Sequence, residues 1–201
     1  MATHPLASDS DGFDRGQIHE IVRQLLEQVG EDPDREGLVD TPRRVADMYA
    51  ELTSGYRRDP WELIGNAIFN VDYDSMVVVK DIEFYSLCEH HIVPFYGHVH
   101  VGYIPEGRVI GASKIPRVID HFARRLQLQE RMTEQIARFL EEAIEPRGLG
   151  VVAEGIHLCM AMRGVQKQDT RMVTSAMTGA FRKDPKTRTE FLQFIDSRVP
   201  S

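Results

Sequence analysis

Cys88-Glu89-His90-His91 sets a thiol and an imidazole three residues apart. In a tight turn that offset brings both side chains to one ion, and a Cys/His donor set suits zinc. The second of the chain's two cysteines, Cys159, sits in His157-Leu158-Cys159. Read as strand, residues two apart share a face, so His157, Cys159, Ala161 and Arg163 line one side. Ile156, Leu158, Met160 and Met162 line the other, which reads as core. Both cysteines therefore fall in His-containing segments, and the spacing favours Cys88, His91 and Cys159 as ligands. Adjacent residues rarely reach one ion together, which puts His90 beside the metal rather than on it. His157 has two readings at this point. It is a fourth ligand that closes a structural site, or an acid/base group beside a three-ligand catalytic one. His98 and His100 also share a strand face, but no third ligand accompanies them, and His4, His19 and His121 have no partner nearby in the sequence.

A second group of residues suits an anion. Gly111-Ala112-Ser113-Lys114-Ile115-Pro116-Arg117 opens a helical pattern. Free N–H groups at a helix start attract phosphate. Lys114 and Arg117, three apart, share a helix face, and Ser113 adds a hydroxyl. The bland alternative is a capped helix with solvated cations. Gln129 and Glu130 begin the next helix. An acid there suits the helix dipole, but a carboxylate can also accept both hydrogen bonds of the N1–H and N–H₂ edge of guanine.

The elements that must hold these groups follow from the apolar pattern. Of 201 residues, 42% are apolar and 27% charged, enough for one globular domain with a real core. A net charge of −7 argues against general nucleic-acid binding, so any polyanion must meet local cations. No apolar run approaches the roughly 18 residues of a membrane span. The first residues carry acids and lack the apolar stretch of a secretory signal, which makes a structural disulfide improbable and the cytoplasm the expected location. Residues 1–16 read as a mobile tail, 17–70 as a helical region and 71–201 as the catalytic region. Helices are predicted over Gln17–Val29 and from Thr41, as hydroxyl N-cap before Pro42, to Leu52. Strands follow over Met76–Leu87 and Phe95–Ile104, then helices over Ile115–Leu126 and Met132–Ile144. Strands over Gly150–Arg163 and Met172–Phe181 precede a last helix, Lys186–Ile195. Grouped strand pairs favour an α+β fold, an antiparallel sheet with helices on one face. No G-x-G-x-x-G or P-loop pattern is present.

The strings SLCEHHIVPFYGHVHVGYIP, IGASKIPRVIDHFARRLQLQERMTEQI, HLCMAMRGV and VTSAMTGAF, preceded by DTPRRVADMY, resemble the GTP cyclohydrolase I family from about Thr41 to Ile195. The resemblance implies a tunnelling fold with an N-terminal helical extension, assembled into a decamer with active sites between subunits. It implies zinc on Cys88, His91 and Cys159, and catalytic roles for His90, His157 and Ser113. It places Gln129 and Glu130 at guanine, and Lys114, Arg117, Arg163 and Arg44 at ribose and triphosphate. The implied reaction opens the guanine ring of GTP, releases formate and yields 7,8-dihydroneopterin triphosphate for tetrahydrofolate and pterin synthesis. Asp47 and Leu126 depart from the family pattern, standing where a basic residue and a Pro often occur. The rival readings are another tunnelling-fold enzyme acting on a pterin or deazapurine, and a non-catalytic zinc-stabilised oligomeric scaffold.

Overall fold

The computed structural model describes residues 12–197, so most of the tail assigned to residues 1–16 lies outside the described residues. Two compact units make up the chain, one ending at Arg57 and the other beginning at Arg58, whereas the sequence pattern put the division at 70/71.

The first unit holds α1 (Arg15–Gln28) and α2 (Thr41–Leu52). Asp14 caps α1 by accepting from the Gln17 N–H at 2.8 Å. Val22 is buried, while Ile21, Leu25 and Val29 from the same apolar pattern are exposed. Thr41 does not cap α2: it is the first helical residue, and Asp40 precedes it without a capping bond. The Asp40 carboxylate is taken up by Arg44 at 3.1 Å. Asp47 likewise sits between Arg15 and Arg43, each at 3.3 Å.

The second unit continues with α3 (Pro60–Ile64), β1 (Ile68–Asn70), β2 (Val77–Cys88), β3 (Pro94–Ile104) and β4 (Arg108–Ile110). Then come α4 (Lys114–Ala123), β5 (Leu126–Gln127), α5 (Gln129–Ile144), β6 (Gly148–His157) and α6 (Leu158–Ala161). β7 (Met172–Met177), α7 (Gly179–Lys183) and α8 (Pro185–Asp196) complete it. The main sheet runs β5-β2-β3-β6-β7. Its ladders are antiparallel except for the two-residue parallel edge β2/β5. A separate antiparallel pair, β1/β4, and the short α3 carry too few residues to leave a period in the sequence.

Side chains alternate across the sheet. Phe95, Val99, Val101 and Tyr103 of β3 and Val151 and Ala153 of β6 join Ile115, Ile119, Met132, Ile136 and Leu140 in one core beneath α4 and α5. That is the expected helical face. The C-terminal pair α7/α8 covers a corner of the opposite face, where Phe181 and Phe191 pack with Val152. They approach so closely that a Cβ on Gly150 would lie 2.8 Å from the Phe181 ring, so only glycine fits there.

Three predicted boundaries shift. The helix predicted to Leu126 ends at Ala123, and Leu126 instead pairs with Leu87 at the sheet edge. The strand predicted to Phe181 ends at Met177. The strand predicted to Arg163 ends at His157, because its last partner is Phe95, next to the start of β3. Without a neighbouring strand the backbone turns helical, and the Met162 N–H bonds to the Leu158 carbonyl at 3.1 Å. His157, Cys159 and Arg163 therefore do not share a strand face, and Met160 and Met162, read as core, are exposed.

Candidate active site

The turn after β2 is closed by the Cys88 N–H donating to the Val93 carbonyl at 2.9 Å and the Ile92 N–H donating to the Cys88 carbonyl at 2.8 Å. Ile92 has a φ of 54°, a conformation that a β-branched residue rarely adopts and that costs on the order of 1–3 kcal/mol. Tight curling of the turn brings Cys88 Sγ to 3.9 Å from His91 Nδ1. The helical turn α6 delivers Cys159 to the same place. Donor atoms of Cys88, His91 and Cys159 lie within 4.8 Å of one another. Both cysteines are free and buried.

The chemistry of these donors fits a metal ion. Burial, and then the adjacent Cys88 sulfur, push the Cys159 thiol up, while the nearby Arg163 guanidinium opposes them. Two buried thiols side by side resist ionising together, and a cation between them removes that conflict. His90 stays outside the donor group, its ring edge-on to His91 at 6.2 Å. His157 is outside it too, although it closes the strand that leads to Cys159.

His157 is fixed by other means. Its ring stacks on Phe95, with centroids 4.5 Å apart and planes 5° apart. Its Nε2 lies 3.0 Å from Gln129 Oε1. The orientation of that amide is settled by its surroundings. Gln129 Nε2 donates to the Ala153 carbonyl at 3.1 Å and the Met172 carbonyl at 2.9 Å, and Thr174 Oγ1 is 3.2 Å away. Oε1 must then face the imidazole, so His157 donates from Nε2 and keeps its lone pair on Nδ1. Burial holds the imidazole below its ordinary pKa, and the Glu130 carboxylate pulls the other way. Gly155 makes the contact possible: a Cβ there would sit 2.5 Å from Gln129 Oε1.

Gln129 is thus 1% exposed and engaged within the protein, while its neighbour Glu130 is exposed. Of the two residues assigned to guanine, Glu130 has the exposed carboxylate, and Gln129 holds the imidazole. Ser113 and Arg117 are exposed at the start of α4, and the Ser113 hydroxyl makes no capping bond. Lys114 is half-buried and donates to the Leu63 carbonyl at 2.9 Å. Arg163 is exposed in the loop after α6. Arg44 belongs to the first unit, exposed and paired with Asp40. The polar contacts of Gln129 were missed in the sequence, where nothing marks position 155 as an approach site for position 129.

Fold and donors together define a class: an α+β protein with a three-donor Cys/His centre, a partner histidine and an exposed carboxylate close by. The profile of the GTP cyclohydrolase I family matches residues 18–196. The chain belongs to that family. It is 56% identical over 175 residues to the GTP cyclohydrolase 1 of Methylococcus capsulatus, covering 87% of this chain and 95% of the relative. It is 54% identical over 178 residues to that of Leptospira biflexa, covering 89% and 97%. With that of Pseudoalteromonas translucida the identity is 55% over 179 residues, covering 89% and 97%. Among the described residues no helix is long and apolar enough to cross a membrane.

Proposed function

We propose that this chain is a GTP cyclohydrolase I, which opens the guanine ring of GTP, releases formate and rebuilds the product as 7,8-dihydroneopterin triphosphate for pterin and tetrahydrofolate synthesis. The observation that carries the reading is the approach of the Cys88, His91 and Cys159 donor atoms to within 4.8 Å of one another, with His157, two residues before Cys159, bonded to Gln129 and outside the donor group. Three donors favour a catalytic centre over a structural one, which argues against the scaffold reading.

Zinc is the metal proposed for Cys88, His91 and Cys159. When bound it supplies Lewis acidity that brings the pKa of a water to about 7. Glu130 accepts the N1–H and N–H₂ edge of guanine and so orients C8. Water adds across N7 and C8, its oxygen to C8 and a proton, moved by His157, to N7. The C8–N9 bond then breaks with the hydroxyl proton passing to N9, and a second water cleaves the remaining C8–N7 formamide bond so that C8 leaves as formate. Gln129 keeps the His157 ring in one tautomer, so that Nδ1 exchanges the proton. Arg117, Arg163, Lys114 and Arg44 bind the ribose triphosphate. Lys114 exchanges its bond to Leu63 for phosphate oxygens when the nucleotide arrives. Ser113 and His90 serve the later proton transfers of the ribose rearrangement. The enzyme works in the cytoplasm as a homodecamer with sites between subunits. Incubation with GTP tests the reading directly: formate and a fluorescent pterin, after oxidation, appear in equal amounts. A purine product without formate would overturn it.

A further inference from the structure

The turn that carries Cys88 and His91 is joined to the start of α5 by one guanidinium. Arg131 follows Gln129 and Glu130 on α5 and ion-pairs with Glu89, the residue after Cys88. The same Nη2 donates to the Leu126 carbonyl at 3.2 Å, and Nε donates to Gln127 Oε1 at 3.0 Å. One planar group thus grips the metal turn, the edge strand β5 and, through its own backbone, the first turn of α5.

The rest of the junction is cross-linked. Cys88 and Gln127 are strand partners, and the Glu89 N–H donates to the Gln127 carbonyl at 3.1 Å. Gln127 is buried, and its Nε2 donates to the Phe122 carbonyl and to Gln135 Oε1, each at 2.8 Å. A buried amide with both ends engaged gives Arg131 a fixed anchor. The Glu89–Arg131 pair itself is partly exposed, with 31% and 41% of the side-chain surfaces open. Such pairs contribute little to stability. Their geometry is another matter, since a guanidinium holds several acceptors at fixed angles and an ammonium does not.

We infer that Glu89 and Arg131 form a positioning brace that sets the distance between the metal donors and the base-reading end of α5. Neither residue touches the substrate. The inference rests on the proposed reading of the site, in which the metal turn serves C8 while Glu130 holds the far edge of guanine. A misplacement of about 1 Å between such groups costs up to about a hundredfold in rate.

The test uses the full-length enzyme with Glu89→Gln, Arg131→Lys, Arg131→Met and the double variant Glu89→Gln/Arg131→Met. In Arg131→Met, kcat for GTP falls about ten- to hundredfold while KM stays within about threefold. Arg131→Lys restores only part of the loss. Zinc content per chain stays at the parent value in every variant. The double variant is no slower than Arg131→Met, because both changes remove one brace. Unchanged kcat, additive losses, or zinc lost in step with kcat would overturn the brace. If Arg131→Met does not fold, Glu89→Gln decides alone, with a reduced kcat at full zinc expected. A parent enzyme that holds no zinc or leaves GTP intact would overturn the reading of the site itself, and the brace with it. An active parent with unaffected variants overturns the brace only.

Discussion

The two cysteine donors are buried and the half-buried His157 is pinned by Phe95 and Gln129, with His91 the exposed member of the donor trio, whereas the cations assigned to the triphosphate stand mostly in solvent. Around the donors, Cys88 and Cys159 are buried, and every polar atom of the Gln129 amide has a partner. At the start of α4, Ser113 and Arg117 are exposed, and Arg163 extends from a loop in which residues 162 to 170 are all exposed. The difference matches the chemistry proposed for each half. Proton transfer and attack at C8 tolerate little misplacement, so their groups are held by packing before substrate arrives. A triphosphate is flexible and multiply charged, and cations on mobile stems can close on it.

This contrast is most sharply broken at the donors. Cys88→Ser and Cys159→Ser each lose zinc, and formate release falls below detection, as elemental analysis beside the GTP assay will register. Full zinc occupancy in either variant would remove these residues from the metal.

At His157 the expected loss is smaller and of a different kind. His157→Ser retains zinc, and single-turnover formation of formate slows by about 10²–10⁴, the usual worth of an acid/base group. Loss of zinc would make His157 a fourth ligand. Gly155→Ala attacks the same group at one remove. Its Cβ meets Gln129 Oε1 at 2.5 Å, and the displaced amide no longer fixes the imidazole tautomer. We expect zinc to stay and kcat to fall about tenfold, less than the loss from removing the imidazole itself.

The solvent-exposed half responds in KM. Arg117→Ala and Arg163→Ala each raise KM for GTP by about ten- to hundredfold, the range for losing a charge-assisted phosphate contact. kcat changes little, and the difference from the parent shrinks as salt rises. A fall in kcat at unchanged KM would place these arginines with the chemistry instead.

The same division governs what could be read from the sequence. The donor trio was legible because thiols are scarce in this chain and each lies within a few residues of a histidine. The sheet and the helices α4 and α5 were legible because their apolar residues keep a strict period. His157 and Cys159 were placed together for a reason that does not hold. The strand ends at His157, and a helical turn, invisible as a period over four residues, carries Cys159 to Cys88 and His91. Gln129 was assigned to guanine, and its buried amide could not be foreseen, because its partners at 153, 172 and 174 lie on two strands far along the chain. Pairing across a sheet decides such contacts, and no local pattern records it.

The smallest effect concerns a histidine that the site does not use. His121 lies in the last turn of α4, 3% exposed, where a cation would ordinarily suit the helix dipole. Its ring packs edge-on to Phe122 at 4.9 Å. Arg125 donates to its Nε2, which puts the proton of the neutral ring on Nδ1, a buried atom with no hydrogen-bond partner among the described residues. Burial and then the Arg125 charge push its pKa down to about 4, with Arg58 adding to the effect and Asp59 opposing it. In the unfolded chain the imidazole titrates near its ordinary 6.5. Between those values the unfolded chain binds more protons than the folded one, so stability rises with pH across the window. The contribution is fully present above about pH 6.5 and is lost as pH falls through about 4. Its size is at most about 3 kcal/mol. His121→Phe removes both the titration and the unpaired Nδ1–H. Denaturant unfolding of the zinc-loaded protein at pH 7 should find the variant as stable as the parent, or more stable by about 1 kcal/mol. As pH is lowered from 6.5 toward 4 the variant should lose less stability than the parent, and kcat at pH 7 should be unchanged. The comparison cancels the groups that the two proteins share. Parallel pH profiles for the two proteins would show that His121 carries no such linkage.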